Sequence, residues 1–151
     1  MSVREFARRA PLLVVTAACM ILAGCTDPVR AVLTGSPDTP TAILSPCRTD
    51  WHDWDSLEVL DSTDGRTLWK VQSATPQRSV PMARVEYGKP PAGAKTVVEA
   101  QPIPERDMIQ WVWSRKDSEP VMQTFTVRLV KASKALETDD SYATLDDWKN
   151  C

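Results

Sequence analysis

The densest gathering of chemically able side chains is Asp50-Trp51-His52-Asp53-Trp54-Asp55. Trp51 and Trp54 beside three aspartates are the materials of a lip on which a sugar ring stacks or a cation rests. Burial is the commoner use of a large aromatic, so Trp69, Trp111 and Trp113 are expected to fill a core while Trp51 and Trp54 cover an edge. His52 is the one histidine of the chain. With Asp50, Asp53 and Asp55 it suggests a metal site, but the spacing matches no transition-metal ligand set. Nor is it the oxygen-rich, acid-terminated loop that calcium requires. A solvated turn is the expectation. A Ser-His-Asp triad would have to use His52, and no serine sits in a Gly-x-Ser-x-Gly elbow. Glu137, Asp139 and Asp140 lie in a polar run that solvation explains, and no glycine-rich phosphate loop occurs. The residues predict no catalysis, no metal and no cofactor.

A different chemistry is written near the N-terminus. Arg4, Arg8 and Arg9 outweigh Glu5 in the first ten residues, and an uncharged run of 14 residues, Pro11 to Gly24, follows. A basic start, a short apolar stretch and small residues before a break are the parts of a secretory signal. The run falls short of the roughly 20 residues that cross a bilayer as a helix. Leu22-Ala23-Gly24-Cys25 resembles the lipobox of bacterial lipoproteins: leucine, two small residues, then cysteine. That resemblance implies a diacylglyceryl group on the Cys25 sulfur, cleavage after Gly24, further acylation by a chain such as palmitate, and loss of Cys19 with the signal. Two or three acyl chains hold a protein stably at about 0.8 kcal/mol per buried methylene, where one does so only marginally. The implied location is the cell envelope, facing the periplasm or the exterior. Thr26 is not the aspartate that retains lipoproteins in many inner membranes, so the outer membrane is the default where the host has two.

Residues 25–151 keep 15 of the 18 basic and 19 of the 20 acidic side chains, a formal charge of −4. This balance argues against nucleic acid, which is held through clustered lysine and arginine. It equally disfavours electrostatic adhesion to anionic lipid. Those 127 residues allow one domain. Apart from Cys19 and Cys25, the cysteines are Cys47 and Cys151. An even pair in an exported chain favours a disulfide. Closing a loop of about 105 residues would contribute roughly 4–5 kcal/mol in the chain-entropy model. Two free thiols or an intermolecular bridge is the alternative.

The elements that must position these groups read as short strands. Residues 25–46 are small, polar and punctuated by Pro28, Pro37, Pro40 and Pro46, so they are expected to be a tether. Ala31-Val32-Leu33 and Ala42-Ile43-Leu44 are apolar islands within it, and the domain is expected over 47–151. Two β-runs around Asp64-Gly65 predict a hairpin, with Trp69 and Val71 on one face of its second arm and Leu68 and Lys70 on the other. Val85 and Tyr87 alternate with Arg84 and Glu86, and Thr96–Val98 begins another strand. Pro102 and Pro104 force Ile103 into an extended edge or loop. Ile109, Trp111 and Trp113 share a face, as do Val121, Phe125, Val127 and Leu129 in a strand over 121–130. These last two runs predict a second hairpin. Tyr142, Leu145 and Trp148 recur at helical spacing behind Thr144-Leu-Asp-Asp147, a variant capping box. The fold class is mostly β, a small antiparallel sandwich-like domain of which the immunoglobulin-like form is one version, with a short C-terminal helix or turn.

Val85-Glu-Tyr-Gly-Lys-Pro-Pro-Ala-Gly93, followed by Ala100-Gln-Pro-Ile103 and a strand, resembles small uncharacterised bacterial envelope proteins that carry such a turn. The resemblance spans about thirty residues and implies no particular activity. The expected function is a membrane-anchored, non-catalytic envelope lipoprotein. It would bind another envelope protein or a wall component. The alternative is a carbohydrate- or small-ligand-binding lipoprotein that uses Trp51 and Trp54.

Overall fold

A computed structural model describes residues 31–46, 52–105, 108–137 and 141–149. Twelve strands occur among them: β1 Ala31–Gly35, β2 Pro40–Leu44, β3 Asp53–Trp54, β4 Ser56–Asp61, β5 Thr67–Ser73, β6 Val80–Pro81, β7 Arg84–Glu86, β8 Ala94–Val98, β9 Met108–Ser114, β10 Val121–Thr126, β11 Lys134–Leu136 and β12 Tyr142–Thr144. A five-residue helix, α1 Leu145–Lys149, follows the last strand. The first sheet has the order β12-β11-β1-β2-β7, the second β10-β9-β4-β5-β8, and β3 pairs with β6 alone. All the pairings are antiparallel. Leu33, Leu44, Val85 and Leu136 of the first sheet share one core with Leu57, Trp69, Ile109, Trp111, Trp113 and Phe125 of the second. The domain is the expected mostly-β, sandwich-like fold with a short C-terminal helix.

The central strands of the second sheet follow directly from alternation. Ile109, Trp111 and Trp113 are wholly buried, while Gln110, Val112 and Ser114 are half-buried on the other face. β9 pairs with β10 from Met108↔Thr126 to Val121↔Trp113, which is the second predicted hairpin. The first lies at β4–β5, where Gly65 takes φ +73°. Asp61, nearly buried, holds that turn: its Oδ1 accepts the Thr63 N–H at 2.8 Å and its carbonyl accepts the Gly65 N–H at 2.8 Å. Strict alternation fails at one place. A register shift between Val59 and Leu60 lets Leu68 and Trp69 both be buried, although consecutive strand residues point to opposite faces.

The tether expected over 25–46 is corrected by the structure. β1 and β2 form a hairpin with Leu33 opposite Ala42, and Ala31, Val32, Leu33, Ala42 and Leu44 are buried. The domain therefore begins by Ala31, not at Cys47. Each island alone is too short to bury enough apolar area to offset its ordering, but here they pair with each other and β1 also pairs with β11. Gly35 makes the turn at φ +96°, where an added Cβ would lie 3.2 Å from the Thr39 carbonyl oxygen. Pro40, which has no N–H to donate, is tolerated at the first position of its strand. β1 is buried on both faces: Thr34 Oγ1 points to the Lys131 and Ala132 carbonyls at 3.2 and 3.1 Å.

Two other expectations shift. The strand over 121–130 stops at Thr126, and Val127–Leu129 is a 3-10 turn closed by Val130 N–H to the Val127 carbonyl at 3.0 Å. Val127 stays buried, so the turn redirects the chain toward β11 without losing that anchor. The C-terminal segment is strand before helix, with Tyr142 opposite Leu136 and its hydroxyl donating to the Leu129 carbonyl at 2.6 Å. α1 packs against β11 and β12.

Tyr87 ties the sheets together. It leaves the end of β7 in the first sheet, and its hydroxyl lies 3.1 Å from the Leu68 carbonyl of β5 and 2.8 Å from that of Gln101. Its ring meets Trp69 edge-on at 5.4 Å and Trp111 at 6.5 Å, and Trp111 stacks on Trp113 at 5.9 Å. Burial pushes the Tyr87 phenol up from 10.0 to about 12, and the Gln101 backbone offsets only part of that rise.

Two outcomes follow. A chain starting at Cys47 lacks β1 and β2 and should show no cooperative urea transition by circular dichroism, whereas one starting at Thr26 should. Tyr87→Phe should cost about 1–2 kcal/mol near pH 8 in urea titrations, from the lost hydrogen bond in a buried setting. Because the folded-state phenol titrates above the unfolded one, its share of stability is full below pH 10 and fades as pH rises toward about 12. The gap between wild type and Tyr87→Phe should therefore narrow across that window.

Candidate functional site

The acidic, aromatic stretch around Asp53 folds as a hinge between the small sheet and β4. Asp53 pairs with Pro81 and Trp54 with Val80, after which Asp55 turns the chain into the second sheet. Four hydrogen bonds converge on Asp55. Its N–H donates to the Ser114 carbonyl at 2.9 Å and its carbonyl accepts the Ser73 N–H at 2.8 Å. Its Oδ1 accepts from Ser79 Oγ at 2.6 Å, and its Oδ2 accepts the Lys116 N–H at 2.7 Å. One carboxylate thus fastens two loops that lie 24 and 61 residues away in the chain. Charge-assisted bonds to a carboxylate are the stronger kind.

Above Asp55 opens a cleft of about 460 Å³ lined by Asp55, Gln77, Ser79, Arg115, Lys116 and Asp117. Gln77 stands at φ +64°, the only non-glycine residue in the left-handed region among the described residues. The Arg115 guanidinium carbon lies 5.8 Å from the centre of the Trp54 ring, which it covers. The cleft is polar and carries both charge signs. Of its two carboxylates, that of Asp55 is already engaged by the loops it holds, which makes Asp55 a structural hub first and a polar contact surface second.

Trp54 is 0 % exposed and belongs to the core, so the ligand lip expected from Trp51 and Trp54 loses one of its two rings. The reason is its pairing with Val80 in the small sheet, which turns the indole inward beneath Arg115. The expected core residues Trp69, Trp111 and Trp113 are all buried. His52 is half-buried, and its Nε2 lies 3.0 Å from the Ser45 carbonyl. Among the described residues no group of three or more His, Cys, Asp or Glu side chains gathers in a metal-holding arrangement. Glu137 accepts from Ser141 Oγ at 2.6 Å. Cys25, Cys47, Asp50, Trp51, Asp139, Asp140 and Cys151 lie outside the described residues.

The sequence offered no signal for the partners of Asp55. Ser79, Arg115 and Lys116 belong to no motif: the pairing of β3 with β6 sets Ser79 beside Asp55, and the pairing of β4 with β9 brings Arg115 and Lys116 to it. A second depression, of about 310 Å³, is lined by Pro37, Asp38, Ile103, Glu105, Val127 and Arg128, and sequence reading singled out none of these as a site.

No family model, curated protein or solved structure matches the chain. The fold defines a sandwich-like β-domain in which the Asp55 carboxylate is engaged in holding two loops.

Replacing Asp55 with alanine should lower stability by about 1–3 kcal/mol. Amide hydrogen exchange should accelerate over both 74–79 and 115–118, and no acceleration in either loop would show that the carboxylate does not hold them.

Proposed function

We propose that the chain is a lipid-anchored envelope protein, without chemistry of its own, whose β-domain binds another envelope protein or a wall component. The single observation that carries this reading is Leu22-Ala23-Gly24-Cys25 closing an uncharged run behind Arg8 and Arg9. The domain supports it in a specific way. It begins by Ala31, a few residues after Cys25, so the segment between lipid and fold is a connector and not a further unit. The Asp55 carboxylate is bonded to the Ser79 hydroxyl and the Lys116 N–H, an arrangement suited to presenting two loops for recognition. Burial of Trp54 leaves the carbohydrate-lip alternative without its aromatic pair.

Intact mass of the protein extracted from membranes tests the reading. The expected species starts at Cys25 and carries acyl mass, and it gains two alkylatable thiols only after reduction if Cys47 and Cys151 pair. Cys25→Ser should leave the chain unacylated and absent from the membrane fraction. A native species retaining residues 1–24, or one lacking acyl mass, would overturn the anchor. Crosslinking in intact cells that recovers no reproducible partner would overturn the binding role.

A further inference from the structure

The start of the folded domain sets how far it can stand from a membrane. Five residues separate Cys25 from Ala31. A chain advances at most about 3.6 Å per residue, so Ala31 lies within about 22 Å of a lipid-bearing Cys25. Had the domain begun at Cys47, the corresponding limit would be about 80 Å. The first strand therefore chooses which end of the sandwich faces the lipid.

Ala31 is the entry point, and antiparallel pairing puts Leu44 directly opposite it, with Ser45 and Pro46 continuing beyond. Ile43, one row in, pairs with Arg84, the exposed residue of the edge strand β7. The entry strand is fixed in place: its Ala31 N–H donates to Gln123 Oε1 of β10 at 2.5 Å. The Ser36–Thr39 turn closes the other end of β1, about 15 Å farther along at the usual strand rise.

We propose that the end of the first sheet carrying Ala31, Ser45, Pro46 and Arg84 is a bilayer-facing surface, held against the lipid headgroups by the short tether. The inference rests on acylation of Cys25. It narrows the partner class to proteins that reach the same headgroup layer, because a tether this short keeps the domain from a polymer lying well beyond it. Contact comes from tethering and not from charge, since residues 25–151 are net acidic.

Hydroxyl-radical footprinting of the acylated chain tests this, on vesicles of phosphatidylethanolamine and phosphatidylglycerol, against an unacylated chain starting at Thr26 in solution. Intact mass first establishes the acyl group. Oxidation of Pro46 and Arg84 should fall several-fold on the vesicle, while Pro37, in the opposite turn, should be unchanged. A flexible insert of about 16 Gly and Ser residues after Arg30, adding roughly 22 Å of root-mean-square reach, should restore the solution pattern. An acylated, vesicle-held chain with unchanged oxidation at Pro46 and Arg84 would overturn the surface alone. Protection that survives the insert would overturn the tether as its cause. An unacylated native chain would remove the anchor and this surface together.

Discussion

The contact on which the rest depends is the aromatic junction between the sheets. Tyr87 belongs to the first sheet by chain position and to the second by its contacts, with its ring against Trp69 and Trp111 and its hydroxyl at the Leu68 and Gln101 carbonyls. Trp113 makes a parallel tie, donating Nε1–H to the Met82 carbonyl at 3.3 Å, just before β7. Aromatic pairs in edge and offset geometry contribute about 0.5–1.5 kcal/mol beyond the area they bury. A domain of this size has a small core, so the mutually packed rings of Trp69, Tyr87 and Trp111, with Trp113 stacked on Trp111, account for much of what distinguishes one packing of the sheets from another. The hydroxyl adds direction, because a phenol buried without an acceptor would cost more than it contributes.

Around that junction the chain is arranged to close sheet edges and satisfy loops. The β1–β2 hairpin sits in the middle of the first sheet, flanked by β7 on one side and by β11 and β12 on the other. Burial of β1 on both faces explains how a stretch rich in proline and small residues becomes a structural centre. The same fact links fold to proposed function. Five residues separate a buried core strand from Cys25, the proposed lipid site. The Asp55 hub does the corresponding work at the second sheet, where one carboxylate holds two distant loops around a polar cleft.

Local patterns carried a large part of the architecture. Alternation in Ile109–Trp113 and Leu57–Leu60 and the Asp64-Gly65 turn identify the central strands, because a strand with one buried face must alternate and a tight turn needs a residue that tolerates positive φ. The tryptophans at 69, 111 and 113 were legible as core because burial is the commonest use of a large aromatic.

Tertiary structure alone decided the rest. Whether Ala31–Leu33 and Ala42–Leu44 are linker or strand depends on which neighbours they meet, and β11 reaches Leu33 from 103 residues away. Trp54 looked like a surface aromatic beside three acids, but pairing with Val80 turned it inward. The partners of Asp55 have no sequence signature, because hydrogen bonds between distant loops are set by strand pairing and not by spacing. Burial on both faces of β1 and the register shift at Val59 are of the same kind. Sequence determined the strands that alternate; long-range pairing determined that Ala31–Gly35 is a core strand and that Trp54 is buried, because both depend on partners distant in the chain.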